Sequence, residues 1–354
     1  GLADYSAFIL GGLPKQGQTL EEVKDLLLNE IKKLRAGEFD EKMLQANINN
    51  FKLYELQSME SNEGRADIFV NSFINGTNWK DEVTAIDRMA KLTKEDIVAF
   101  ADKYLKEDNY AVVYKKQGKD PNEKKMTKPE ITPIVSNRDV ASPFLTSIQE
   151  NAVKPIEPVF LDFKKDMSQL TAKSDIPVLY KQNTTNDLFQ LIYVFDMGNN
   201  NDKALGTAFD YLEYLGTSDM TPEELKSEFY RLACTFYVSP GNERTYVVLS
   251  GLNENMPAAV QLFEKLLADA QVNKEAYTNM TSDILKARSD AKLNQGQNFS
   301  RLMSFAMYGP KSPATNLLTE AELTNMNPQE LVDRIHNQNS YKHRILYYGP
   351  SSSK

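Results

Sequence analysis

Two histidines, one cysteine and one tryptophan in 354 residues leave little material for several kinds of site. The histidines, His336 and His343, lie on either side of a helix-to-strand turn with Asp333 nearby, and read as ordinary polar positions. There is no G-x-S-x-G, so serine-hydrolase chemistry has no nucleophile elbow to rest on. The stretch GLPKQGQT lacks the G-x-x-x-x-G-K-[ST] spacing, which excludes a phosphate loop. Cys234 sits in the apolar run 232–238 and has no partner for an internal disulfide, so a buried thiol is expected. A chain without disulfides is compatible with either side of a membrane, so the compartment stays open: periplasm or cytoplasm would serve if the source is bacterial. Basic excess is missing too. With 41 Lys and Arg against 49 Asp and Glu the net charge is −8, and no basic stripe is available to hold nucleic acid. No run of about 18 apolar residues occurs, so no membrane-spanning helix is expected.

What is present reads as an α+β protein of ordinary globular composition, 41% hydrophobic and 25% charged, which excludes disorder as its main state. In chain order, Tyr5–Leu13 reads as a strand leaving through Pro14. Thr19 and Glu22 form a capping box for a helix whose stripe is Val23, Leu26, Leu27, Ile31 and Leu34, closed by Gly37. Asp40 caps a longer helix with Met43, Leu44, Ile48, Phe51 and Leu56 on its apolar face. Helices over Ser61–Phe73, Lys80–Met89 and Thr93–Leu105 lead to a β-branched and aromatic strand, Tyr110–Tyr114. The segment from Gly118 to about Ser174 opens rich in proline and lysine and reads as a solvated linker, with an edge strand at Pro155–Phe163 that its prolines keep out of a sheet centre.

From Ile176, two strands (176–182 and 188–198) are joined by a polar turn at Asn183–Asn186. Asp202 caps a helix carrying Leu205, Ala208, Phe209, Leu212 and Leu215, which Gly216 ends, and Thr221, Pro222 and Glu224 start another. Strands Cys234–Val238 and Thr245–Leu252 flank the turn Ser239–Asn242. Helices capped by Asn255 and Asn273 follow, then helices near 299–308, 319–323 and 327–336, and a closing strand His343–Tyr348. The order repeats: Thr19 and Asn255, Asp40 and Asn273, Thr93 and Asn327, Tyr114 and Tyr348 stand at a nearly constant separation, the mark of a duplicated fold. Three regions are therefore expected: 1–118, a peptidase-like domain without its beginning; 119–175, a linker; and 176–354, a second domain. Residues 176–245 have no counterpart in the first copy, so that copy is expected to leave an edge open and to self-associate through it.

The polar side of the helix from Leu205 carries Asp210-Tyr211-Leu212-Glu213-Tyr214. This is the register of H-x-x-E-H, in which two histidines bind zinc and the glutamate activates water. The glutamate is kept; Asp210 and Tyr214 stand at the histidine positions. Together with the glycine–helix–Gly-Thr–capped helix–strand–strand order, the region resembles the pitrilysin or insulinase family of zinc metallopeptidases, which includes the mitochondrial processing peptidases. Met59–Ala66 and the segments ending at Lys115 and Pro350 resemble bacterial members. The resemblance implies tandem α/β metallopeptidase domains with mainly antiparallel sheets and helices packed on one face. It implies the non-catalytic middle portion of a peptidase that encloses peptide between two homologous halves, or a binding homologue with no catalytic half. No catalytic or metal-ligating residue is expected in this chain, because the family's later glutamate would fall within Asn273–Lys292, where Glu275 stands alone at the start. Zinc would belong to a catalytic domain of the parent. The implied partners are the remaining parent domains or a catalytic sibling, and a peptide substrate.

Overall fold

The computed structural model describes residues 4–15, 17–119, 126–134, 136 and 138–353; part of the lysine- and proline-rich stretch lies outside them. The first region is helical: α1 (Leu20–Ala36), α2 (Lys42–Ser58), α3 (Asn62–Asn75), α4 (Trp79–Val83), α5 (Ala85–Met89) and α6 (Lys94–Tyr104). Local signals set these boundaries. Thr19 with Glu22 and Thr93 with Asp96 form complete capping boxes, and Gly37 closes α1 in the left-handed conformation. α2 starts one residue later than an Asp40 N-cap implies, with Glu41 at the cap position, and Asp40 still accepts from Lys42 N–H at 2.9 Å.

Burial departs from the pattern. α1 has no buried residue, and Leu26 and Phe51 are 57% and 55% exposed although both sit on periodic apolar faces. Periodicity sets which face is apolar; burying it takes an opposing layer, and among the described helices the main partner of α1 is α6. The segments Tyr5–Leu13 and Tyr110–Tyr114 carry no ladder, and neither does Pro155–Phe163, so these three strand expectations are corrected. A strand has no hydrogen bonds of its own and forms only against a neighbour. The helix expected over Lys80–Met89 breaks at Thr84, whose hydroxyl turns back to Lys80 O at 2.7 Å. A short helix in the linker, α7 (Pro143–Gln149), is started by Ser142 and a first-turn proline.

The second region holds β1 (Ser168–Thr171), β2 (Pro177–Gln182), β3 (Leu188–Phe195), α8 (Leu205–Leu212), α9 (Pro222–Arg231), β4 (Cys234–Pro240), β5 (Thr245–Leu252), α10 (Met256–Asp269), α11 (Lys274–Ala291), α12 (Gln295–Tyr308), α13 (Glu320–Asn325), α14 (Gln329–His336) and β6 (His343–Gly349). The strands form one sheet in the order β1-β2-β6-β3-β5-β4, antiparallel throughout except for the parallel pair β2–β6. The fold is thus a mixed α/β one around a mainly antiparallel sheet. β2 and β3, consecutive in sequence, are not neighbours, because β6 returns between them; β1 has no apolar alternation to announce it. Asn255 does not cap α10 with its side chain, which instead donates to Leu232 O at 2.8 Å.

The core lies in this region, with Leu205, Tyr211, Leu249, Phe263, Leu331 and Ile335 all at 1% exposure or less. A buried leucine of this kind contributes about 2–3 kcal/mol relative to exposure. Two ion pairs tie the approach to α8 to the C-terminal helices: Asp202 to Arg334 at 2.7 Å and Lys203 to Glu322 at 2.5 Å. The bond from Lys203 and then the Thr319 N–H pull the Glu322 carboxyl down to about 2 from its ordinary 4.5. A depressed carboxyl stabilises the fold above its unfolded value and loses that contribution as pH falls through its folded value. The urea midpoints of the protein and of Glu322→Gln are therefore expected to differ at about pH 6 and to converge near pH 2. A difference that persists at the acid end would assign the effect to packing.

Candidate functional site

α8 carries the motif positions, and its geometry departs from the expected register. Asp202 caps the entry, accepting from Ala204 N–H at 2.9 Å, and Leu205, Ala208, Phe209, Leu212 and Leu215 are all buried. The α-helix ends at Leu212, four residues before Gly216, with Glu213 as its C-cap. The next N–H groups donate three residues back, Tyr214 to Tyr211 O and Leu215 to Leu212 O, so the chain tightens and leaves the helix. Asp210 is on α8, Glu213 at its end, and Tyr214 beyond it. All three are exposed. The Asp210 carboxyl is raised above its ordinary value, first by desolvation from its neighbours and then by the charge of Glu213. Tyr214 lies 6.0 Å below the Lys226 ammonium. Among the described residues no three His, Cys, Asp or Glu converge on a point where a metal ion would sit.

Tyr211, between the motif positions, is fully buried. Its hydroxyl donates to Asn273 O at 2.6 Å and accepts from Asn273 N–H at 2.9 Å, which fixes the start of α11 against α8. Asn273 in turn caps α11, and Glu275 lies in that helix's first turn. His343 is half-buried on β6 against the Phe195 ring, while His336 is exposed in the last turn of α14. Burial pushes the Cys234 thiol up to about 12, which leaves it unreactive at neutral pH. With Tyr214 off the helix, putting histidine at both 210 and 214 is expected to create no tight zinc site. Elemental analysis of the dialysed double variant checks this, and one zinc per chain would contradict it.

Beside the motif lies a cavity of about 400 Å³. Leu212, Glu213 and Leu215 border it from the end of α8, Leu225, Lys226 and Phe229 from α9, Cys234 and Phe236 from β4, and Asn50 and Leu53 from α2. Its walls are apolar, and Glu213 and Lys226 are its charged members. α2 is held over it by amides: Asn50 donates to Tyr230 O at 2.6 Å, and Tyr230 in turn donates to Asn47 Oδ1 at 2.6 Å. Sequence reasoning missed Asn47, Asn50 and Lys226, which in one dimension are indistinguishable from solvated helix positions.

β4 forms the rim and an edge of the sheet. Leu252 N–H donates to Ala233 O and Gly241 N–H donates to Arg244 O, one at each end of the β4–β5 ladder. The bonded pairs of an antiparallel ladder alternate. On β4 they therefore fall at Thr235, Tyr237 and Ser239, which turns the N–H and C=O of Phe236 and Val238 outward, away from β5. Those groups have no partner among the described residues.

Solved peptidase structures are similar to this chain. A peptidase M16 inactive domain from Pseudomonas fluorescens is 15% identical over 53% of this chain and 47% of its own, with a TM-score of 0.46. The periplasmic protease PqqL from Escherichia coli is 14% identical over 95% of this chain and 37% of its own, at 0.46. The ferredoxin protease FusC, solved in complex with Arabidopsis ferredoxin, is 10% identical over 91% of this chain and 39% of its own, at 0.47. The chain thus spans less than half the length of each of these structures. No protein-family profile matches the sequence. No curated protein matches it either.

Proposed function

We propose that this chain is a non-catalytic, peptidase-like protein segment that holds an extended peptide along β4, with an apolar side chain of that peptide seated in the neighbouring cavity. The outward backbone of Phe236 and Val238 carries the reading: an edge of free N–H and C=O groups beside an apolar pocket matches strand addition, where main-chain bonds supply affinity and the pocket supplies selectivity. The regions 1–118, 119–175 and 176–354 serve here as two peptidase-like domains and their linker. In the finer form of the proposal the parent is a zinc metallopeptidase of pitrilysin type, whose catalytic domain or sibling subunit supplies the metal and closes over the peptide with this chain. A binding homologue without any catalytic half is the second reading, favoured by Asp210 and Tyr214 at the ligand positions. An H-x-x-E-H encoded elsewhere in the parent gene separates the two.

Val238→Pro tests the binding site. It removes an outward N–H, and proline is tolerated on an edge at such a position, so the sheet should persist. A fluorescein-labelled unstructured peptide rich in alternating apolar residues is expected to bind the unaltered protein and to lose about tenfold in affinity with the variant, equivalent to about 1.4 kcal/mol. Equal anisotropy titrations would rule out strand addition at β4.

A further inference from the structure

The segment Pro155–Phe163 is apolar and uncovered: Ile156 is 95% exposed, Val159 90% and Phe160 85%, and it pairs with no strand among the described residues. Its two edges are unequal. In a strand the N–H and C=O of one residue point to the same side, and those of the next residue to the other. On the even-numbered edge Pro158 has no N–H. There too the Asp162 N–H donates to the Asp166 carboxylate at 2.7 Å, and Asp162 O accepts from Lys165 N–H and Asp166 N–H. The odd-numbered edge is different. The N–H and C=O of Glu157, Val159 and Leu161 have no partner among the described residues. A strand of this kind pairs on one side only, which fits it to the end of a sheet.

We infer that residues 157–161 add as an antiparallel strand to the β4 edge of a second copy of this chain, an inference that rests on the reading of β4 as a strand-addition edge. Residues opposite one another in an antiparallel pair share a face. The outward groups of β4 belong to Phe236 and Val238, whose side chains pack on the core, Phe236 at the cavity. Pairing through the odd-numbered edge therefore puts Leu161 and Val159 on the cavity side. Phe160 then falls on the opposite face with Tyr237, which is exposed. Pairing through the even-numbered edge would instead turn Asp162 toward the apolar side.

Reach selects the acceptor. In its own chain the segment is tethered to β1, and the seven residues from Leu161 to Ser168 span at most about 25 Å, which the turn at Asp162–Asp166 shortens further. A strand added beyond β4 lies six interstrand spacings from β1, about 29 Å. The tether is too short for a chain to fill its own β4 edge. The nearer free edge, β1, is four residues exposed on both faces and has no apolar side to cover Leu161 and Val159.

Sedimentation equilibrium on the full chain, from about 1 to 200 μM, tests this. The weight-average mass is expected to rise with concentration above 40.1 kDa. Leu161→Asp, which alters the exposed segment, and Val238→Pro, which alters the β4 edge, should each weaken association about tenfold or more. Mixing the two variants should restore it, because one still supplies the segment and the other the edge. A mixture that stays monomeric would overturn the inference. So would an unaltered protein that stays monomeric at the highest concentration, or association that survives both substitutions. Titration of the fluorescein-labelled peptide at 1 μM protein separates this result from the reading of β4 itself: Leu161→Asp should bind that peptide as the unaltered protein does. Peptide binding without self-association would sink the inference and leave the β4 edge standing; failure of both would remove both.

Discussion

Gly251→Ala is expected to destabilise the protein by about 3–5 kcal/mol, enough to unfold a domain of ordinary stability. Gly251 lies on β5 at φ 154°, which L side chains rarely adopt. A Cβ there would stand 2.4 Å from Ala233 O and 2.7 Å from both Cys234 Cα and Cys234 Sγ. Two of those three atoms are backbone, so no rotamer change relieves the clash; β4 itself would have to move away from β5. Ala233, at φ 46° and fully buried, already sits in the left-handed region and has no freedom to yield. Because β4 forms the rim of the cavity, the same substitution should abolish peptide binding. A thermal melt within 3 °C of the unaltered protein, roughly 1 kcal/mol for a domain of this size, would show that the pair accommodates the methyl group after all.

Tyr211→Phe is expected to cost about 1–3 kcal/mol, a large effect for the loss of one oxygen. The hydroxyl serves both polar groups of Asn273; phenylalanine would leave that N–H unpaired where the side chain is fully buried, while the C=O keeps its bond from Tyr277 N–H at 3.0 Å. Removing one member of a buried polar set costs the desolvation of what remains, which exceeds the net value of the bonds themselves. The ring keeps its edge-on contact with Tyr277, so the variant separates the hydrogen bonds from the packing. Urea unfolding followed by circular dichroism measures the difference, and a shift under about 1 kcal/mol would mean that water substitutes for the hydroxyl.

These two positions also mark where sequence reasoning stopped. The caps were legible because a capping box is a local object: Thr19 with Glu22, Thr221 with Glu224, and Asn273 all act as their neighbours dictate. β5 was legible to the residue, since Thr245–Leu252 is apolar and bounded by a good turn. Tyr5–Leu13 has the same kind of sequence and forms no ladder, because pairing depends on what lies beside a strand and composition does not state it. The parallel β2–β6 pair was invisible for the same reason. At the candidate site, Asp210, Glu213 and Tyr214 were found by spacing, but the early end of α8 was not, since it follows from three-residue hydrogen bonds at Tyr214 and Leu215. The cavity depends on side chains from α2, α8, α9 and β4 that meet only in three dimensions.

The return of β6 between β2 and β3 has a consequence for the order in which the molecule assembles. β4 and β5 are joined by a tight turn, so their ladder costs little chain entropy to close, and β3 reaches β5 across the intervening α8 and α9. β2 has no such route: its ladder partners on the inner side are residues 345–349, made at the far end of the same region. Contacts of high sequence separation form slowly. During synthesis β1 and β2 therefore wait as an unattached hairpin while the rest of the region is translated, and the β3 edge that β6 will occupy stays open for the same interval. That interval is when this chain is most exposed to wrong strand pairing, and the final ladder, Gln190↔Tyr348 through Phe195↔His343, is the step that ends it.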